Sequence, residues 1–219
     1  MNTATSLTPQ LTMETKPRVL VTPLCGVERG SWLNSTLLTS LVAASHDSRF
    51  EVTIEPAFGL IPVDYARNRC VAAARDKGFD WNVQLDNDQT VPPNVLDVIA
   101  EAGPAQDVIG LYSGLCADRG ASFRFNVTTL PGVADRNFTG ASRLGAGVLI
   151  LHSSVWRALP KGPWFRTVRA DDELLTISQG EDYYFSNLAM AAGLRLWTHR
   201  MGAGHLHTVD LTRLACTNK

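Results

Sequence analysis

The chain has 219 residues, 45 % of them hydrophobic and 19 % charged, and a formal net charge of −1. That length suits one domain of ordinary size, with or without a tail, and the apolar share excludes general disorder. A chain so close to neutrality has no global basic field for holding nucleic acid, although a local basic groove is compatible with it.

The chain opens on "MNTATSLTPQLTMETKPR", which is polar and rich in threonine. It lacks the apolar core and basic flank of a secretory signal, so residues 1–17 are expected to be a loose tail and residues 18–219 a single domain. No apolar run is long enough to span a bilayer. Cys25, Cys70, Cys116 and Cys216 form no CxxC pair and have no metal-ligand spacing. They read as small buried residues in a reduced compartment. A soluble cytoplasmic protein is the expectation.

From Arg18 the pattern alternates strand with helix. "RVLVTPL" is a β-branched run punctuated by Pro23 and Gly26. "NSTLLTSLVAAS" has helical spacing, with Asn34 or Ser35 as its cap. "FEVTIEPAF" alternates as a strand does. "PVDYARNRCVAAARDKG" starts on Pro62 and stops at Gly78, the usual order of helix punctuation. "FDWNVQL" is the next strand, followed by the short helix "PPNVLDVIAEAG" and the strand "QDVIGLYSG". Ala117 to Arg143 is rich in Gly, Arg and Asn and gives no clear assignment beyond the strand-like "SFRFNV". "GAGVLILHSSVWRAL" is a glycine-led strand running into a short helix. "EDYYFSNLAMAAG" is an amphipathic helix with Phe185, Leu188, Ala189 and Ala192 on one face. "LRLWTH" is a last strand before "GAGHLHTVD". This order predicts an α/β fold, a mainly parallel sheet flanked by helices, with a mixed C-terminal part that walls the sheet's carboxyl end.

The chemistry concentrates in "DWNVQLDNDQTVPP". Asp86 and Asp88 stand at i and i+2 where a strand ends, so they face one side if the chain stays extended. Like charges so close call for a cation, and hard oxygen ligands suit Mg2+ or Mn2+. Ligands bind at the carboxyl ends of strands in open α/β sheets. The alternative is a D-x-D that only shapes the turn before Pro92. In "SQGEDYYF", Ser178 and Glu181 fit an S-x-x-E capping box, and Asp182 is either a surface acid held ionised by the helix dipole or a general base. His205 and His207, also at i and i+2 and preceded by glycines, are packed residues or metal ligands. Gly145 and Gly147 head a strand, either for tight packing or for close passage of a sugar or phosphate. Arg67 is a solvated surface residue or a partner for a nucleotide, and Asn68 beside it is open in the same way. Trp164, Phe165 and Trp197 read as core, although "GPWF" sits in a loop.

In order, "ARNRCVAAA", "WNVQLDNDQTVPPNVLDVI", "GAGVLIL", "GEDYYFSNLAMAAGLRLWTH" and "GHLH" resemble the GT-A glycosyltransferases, especially the family-2-like group, over roughly residues 18–208. The resemblance implies a nucleotide-diphosphate sugar donor (UDP- or GDP-sugar) and a divalent metal, Mn2+ or Mg2+. It implies that Asp88 binds metal directly and that Asp86 binds the ribose or a metal-bound water. His205 would complete the metal site, with His207 as the alternative. Asp182 matches the base of inverting members, with Glu181 beside it. Arg67 matches an arginine near the nucleotide, and Thr22 and Pro23 match the start of the base pocket. The acid that often follows the second strand is replaced here by Asp64 in a shifted position, which leaves the nucleotide open. The chain resembles compact stand-alone members, some carried by bacteriophages, whose acceptor would be a glycan, a coat protein or a modified DNA base. A nucleotidyltransferase is the rival enzyme, but "TPLCGVERG" fits its Gly-rich, Arg- and Lys-bearing loop poorly. A non-catalytic nucleotide- or sugar-binding module is the rival of another class.

Overall fold

The computed structural model describes residues 15–25, 33–59, 62–117, 122–170 and 177–205. His207 and Cys216 lie outside them. The first half alternates as its sequence predicts: β1 (Arg18–Cys25), α1 (Ser35–Ser45), β2 (Glu51–Ile54), β3 (Ala57–Phe58), α2 (Val63–Asp76), β4 (Trp81–Asp86), β5 (Gln89–Thr90), α3 (Asp97–Glu101) and β6 (Val108–Ala117). The stretch without a clear assignment is β-structure: β7 (Ser122–Phe125), β8 (Val127–Asp135) and β9 (Phe138–Leu144). Then come β10 (Val148–His152), α4 (Ser154–Ala158), β11 (Val168–Arg169), β12 (Ile177–Gln179), α5 (Glu181–Ala191) and β13 (Leu196–His205).

The main sheet runs β2-β1-β4-β10-β6-β13-β9-β8. The pairs β1–β2, β1–β4 and β6–β13 are parallel. β10 runs antiparallel between β4 and β6, and β9 runs antiparallel to both β13 and β8. Thus β2, β1, β4, β6 and β13 share one direction and end on one carboxyl edge. The sheet is mainly parallel with a mixed C-terminal part.

Strand period decides which residues meet which helix. Val19 and Val21 of β1, Val83 and Leu85 of β4, and Val148 and Ile150 of β10 pack with Leu37 and Leu41 of α1 and Val98 and Ile99 of α3. On the other face, Leu20, Leu149 and Leu151 pack with Val71 of α2, Trp156 of α4 and Phe185 and Ala189 of α5. Covering both faces is what a mainly parallel sheet requires. Trp164, Phe165 and Trp197 are all buried, as expected of core aromatics. In α5 the buried side is Phe185, Ser186 and Ala189, while Ala192 is exposed. The helix stops at Ala191, so Ala192 never joins its apolar face. Among the described residues no helix is long and apolar enough to cross a membrane.

Asn68 on α2 fastens the Trp164–Phe165 loop. Its Oδ1 accepts from the N–H groups of Trp164 (2.7 Å) and Phe165 (3.0 Å), and its Nδ2 donates to the carbonyls of Phe165 and Asp64, both at 2.7 Å. Asn68→Ala strands two backbone N–H groups, and we expect a loss of about 2–4 kcal/mol. Thermal denaturation by circular dichroism checks this, at roughly 2–4 °C of Tm per kcal/mol for this size. A loss below about 1 kcal/mol would mean that water replaces the amide at little cost.

Candidate functional site

The alternation of "WNVQLD" splits β4 into two faces. Val83 and Leu85 enter the core on the α1 side, so Asn82, Gln84 and Asp86 point the other way, beneath α2. Asn82 and Gln84 are 0 % exposed. Buried amides must be paired. Asn82 Nδ2 donates to the Leu20 carbonyl and the Thr22 hydroxyl, both at 3.3 Å. Gln84 Nε2 donates to Asn82 Oδ1 at 3.0 Å and to the Arg67 carbonyl at 3.4 Å. This polar ladder climbs toward the carboxyl edge and ends at Asp86.

Arg67 sits over that end. It is 2 % exposed, which excludes a solvated surface role. Its Nη2 lies 2.9 Å from both carboxylate oxygens of Asp86, its Nε lies 3.4 Å from Glu181 Oε1, and its Nη1 lies 3.5 Å from Gln84 Oε1. One guanidinium therefore ties the end of β4 to the start of α5. Burial pushes the Asp86 carboxyl up to about 6, Arg67 opposes that shift, and the charges of Asp88 and Glu181 add to it. The two acids thus act on one another even though β4 stops at Asp86. Asn87 and Asp88 form a turn, so Asp88 reaches the site from that turn and not as the next residue on one strand face.

The neighbours of the turn are close-set. The Asp86 N–H donates to the Gly147 carbonyl at 2.9 Å, and the Asn87 N–H donates to the Leu24 carbonyl at 3.2 Å. Gln89 Nε2 lies 3.4 Å from Asp88 Oδ1. A Cβ on Gly147 would stand 2.7 Å from Gln89 Cδ, and one on Gly145 would stand 2.6 Å from Asn126 Cβ. Both glycines therefore let a neighbouring side chain pass, as tight packing requires. On the far side β13 returns antiparallel to β5, with Gly204 opposite Thr90 and His205 opposite Gln89. That register sets the His205 backbone one residue from Asp88. Among the described residues no three His, Cys, Asp or Glu side chains form a metal-holding group. A hollow of about 340 Å3 lies between Thr36 and Thr39 of α1, Thr90, and Gly202 and Gly204 of β13.

At α5 the S-x-x-E capping box does not form. The N-cap is Gly180, with no side-chain cap, and the Ser178 hydroxyl donates to the Val168 carbonyl at 3.1 Å. Ser178 belongs to the β12 strand and so is held away from the helix end. Glu181 is left for Arg67. Asp182 Oδ1 accepts from the Tyr183 N–H at 2.7 Å. Burial raises the Asp182 carboxyl above its ordinary value, and the Glu181 charge adds to the rise. Desolvation and the neighbouring carboxylate thus work against the helix dipole, which favours an ionised acid at this position.

Thr22 and Pro23 are buried in β1, with Thr22 serving the ladder. Asp64 accepts from the Tyr65 and Thr167 N–H groups and so shapes the start of α2. The residues that sequence reasoning missed are Asn82 and Gln84. Their signal was present as polar residues at i and i+2 before Asp86.

No family model matches the chain, and no curated protein matches it. Solved structures do. Protein A197 from STIV is 15 % identical, with a TM-score of 0.53 over 87 % of this chain and 86 % of that one. A CMP:2-keto-3-deoxy-manno-octonic acid synthetase complexed with CTP is 13 % identical, with a TM-score of 0.54 over 92 % of this chain and 97 % of that one. The likeness is one of fold, a GT-A-like arrangement of strands and helices along nearly the whole of each chain.

Proposed function

We propose that the protein is a metal-dependent transferase that moves a sugar from a nucleotide-diphosphate sugar to an acceptor hydroxyl. The observation that carries this reading is the meeting of Asp86, at the end of β4, with Glu181, at the start of α5, through Arg67. A donor site and a proton acceptor then share one edge of the sheet. The fold shared with a CTP-binding synthetase supports a nucleotide there.

Among the described residues no three acidic, imidazole or thiol side chains gather at one point, so a hard divalent cation here would rest on one or two carboxylates and on substrate phosphates. Asp86 and Asp88 stand close enough on this edge for their charges to act on one another, and Mg2+ and Mn2+ are commonly held in that way. Asp88 is the carboxylate assigned to the metal, with Asp86 beside it and His205 or His207 as the imidazole. Such a cation stabilises the negative charge that develops on a departing diphosphate. The acceptor oxygen bonds to the anomeric carbon. The carbon–oxygen bond to the diphosphate breaks, and its electron pair leaves with the nucleoside diphosphate. The acceptor's proton passes to Asp182.

Asp182→Asn is expected to lower kcat about 10²–10⁴-fold with donor affinity kept. The wild-type rate is expected to fall as pH drops, with an acid limb above the ordinary carboxylate range, because the base must be ionised and burial raises its pKa. The same shift sets the sign for stability. A carboxyl raised on folding favours the folded state most below its unfolded pKa, and that contribution is lost as pH rises through the folded value. Asp182→Asn is therefore expected to be no less stable than wild type at pH 7. A small kcat effect would remove Asp182 as the base and point to the retaining route.

The rival nucleotidyl transfer is separated by its product. With Mn2+, a panel of nucleotide sugars should yield a nucleoside diphosphate, whereas release of pyrophosphate from a nucleoside triphosphate plus a sugar phosphate would favour the rival. Neither product, with nucleotide binding kept, would favour a binding module.

A further inference from the structure

Asn34 does more than cap α1. Its Oδ1 accepts from the Leu37 N–H at 2.9 Å and from the Thr36 hydroxyl at 2.6 Å, which is the N-cap role. Its Nδ2 donates to the carbonyl of Asn87 at 3.0 Å and to that of Gln89 at 2.7 Å. Those two carbonyls flank Asp88. One planar amide thus pins both sides of Asp88 to the first turn of α1. A cap alone needs only an acceptor, which Ser, Thr or Asp supplies equally well. The two donated bonds need a second, nitrogen arm of the right length, and Asn provides it. The same helix makes a further tie at a distance from Asp88: the Ser40 hydroxyl donates to the Val91 carbonyl at 2.5 Å.

We propose that Asn34 is a positioning residue that fixes the Asp88 turn in its cation-binding conformation. The proposal rests on the assignment of Asp88 to the metal. A carboxylate carried by a turn is only as well placed as the backbone beneath it. Hydrogen bonds behind a ligand typically change metal affinity 10–100-fold when they are removed.

The test titrates Mn2+ into the full chain with and without a nucleoside diphosphate and reads free Mn2+ by electron paramagnetic resonance. A wild-type chain that binds Mn2+ in neither arm overturns the metal assignment and the positioning role with it. Asn34→Ser keeps a capping acceptor but is too short to reach both carbonyls, and it is expected to raise the Mn2+ Kd 10–100-fold. Asn34→Asp keeps the cap and turns an oxygen onto the two carbonyls. It is expected to weaken Mn2+ binding despite the added negative charge, and it serves as the second variant should Asn34→Ser fail to fold. Ser40→Ala removes the other tie from α1 and is expected to leave the Kd within about twofold of wild type.

Weakening by both Asn34 variants, with Ser40→Ala unchanged, supports the proposal. Equal weakening by Ser40→Ala overturns it, because general loosening then explains the effect. Wild-type affinity in Asn34→Ser, or a gain in Asn34→Asp, also overturns it. Asp88→Asn separates the two levels. If it abolishes Mn2+ binding while Asn34→Ser binds normally, only the positioning role fails. If Asp88→Asn binds like wild type, the metal assignment fails and the positioning role falls with it.

Discussion

Arg67→Ala is expected to cost about 3–5 kcal/mol of stability, the range for breaking a buried ion pair from one side. Arg67 is 2 % exposed and holds Asp86 in two contacts at 2.9 Å and Glu181 at 3.4 Å. Its removal leaves two carboxylates in a partly buried site without their cation, and Gln84 Oε1 loses the guanidinium beside it while Gln84 Nε2 keeps the backbone carbonyl of residue 67. Asp86, which burial already pushes up to about 6, would take up a proton more readily without the opposing Arg67 charge. The deficit should therefore shrink at acidic pH, where protonation removes the repulsion, and be largest near neutrality. Urea unfolding at pH 5 and pH 7.5 measures both values. Arg67→Lys should recover only part of the loss, because an ammonium is a point charge and cannot engage Asp86 and Glu181 with a planar fork. A loss below about 1 kcal/mol at pH 7.5, or a deficit that grows on acidification, would show that water or a shifted neighbour replaces the guanidinium.

Asp88→Asn separates chemistry from folding in the opposite way. The residue lies in a turn beyond β4, and the substitution keeps its shape while removing its charge. Metal-held charge stabilisation is worth several kcal/mol, and each 1.4 kcal/mol is about tenfold in rate, so turnover is expected to fall at least a hundredfold. The melting temperature should stay within a few degrees of wild type. Steady-state release of nucleoside diphosphate, with and without chelator, is the measurement. Activity that survives both the substitution and excess chelator would end the metal-dependent reading. Unaltered activity in Asp88→Asn that chelator still abolishes would move the ligand to another residue.

The first half of the fold was legible because its strands and helices are local and periodic. Asn34 caps α1 as its residue type predicts, and Gly78, with φ +69°, closes α2 where only a glycine is comfortable. β7 shows in the strand-like "SFRFNV", but β8 and β9 were not legible, because they pair with each other and with β13 and no local period betrays an antiparallel hairpin with register shifts. The site was legible in its residue types. Asp86, Asp88, Glu181 and Asp182 were all singled out; Arg67 joins Asp86 to Glu181, with Asp88 next to the first and Asp182 next to the second. Their geometry was not legible. A period of two places Asp88 on the same strand face as Asp86, yet the chain turns at Asn87. A capping box claims Glu181 by spacing, yet Arg67, 114 residues earlier, takes it. Asn82 and Gln84 were not singled out, because their role appears only once α2 covers their face of β4 and buries them.

That covered row of amides constrains how the sequence can drift. Thr22, Asn82, Gln84 and Arg67 satisfy one another in series, so an apolar replacement at one rung strands its neighbours. Chains that share this sheet should vary these four positions as a block, either keeping all of them or exchanging the whole set for hydrocarbon.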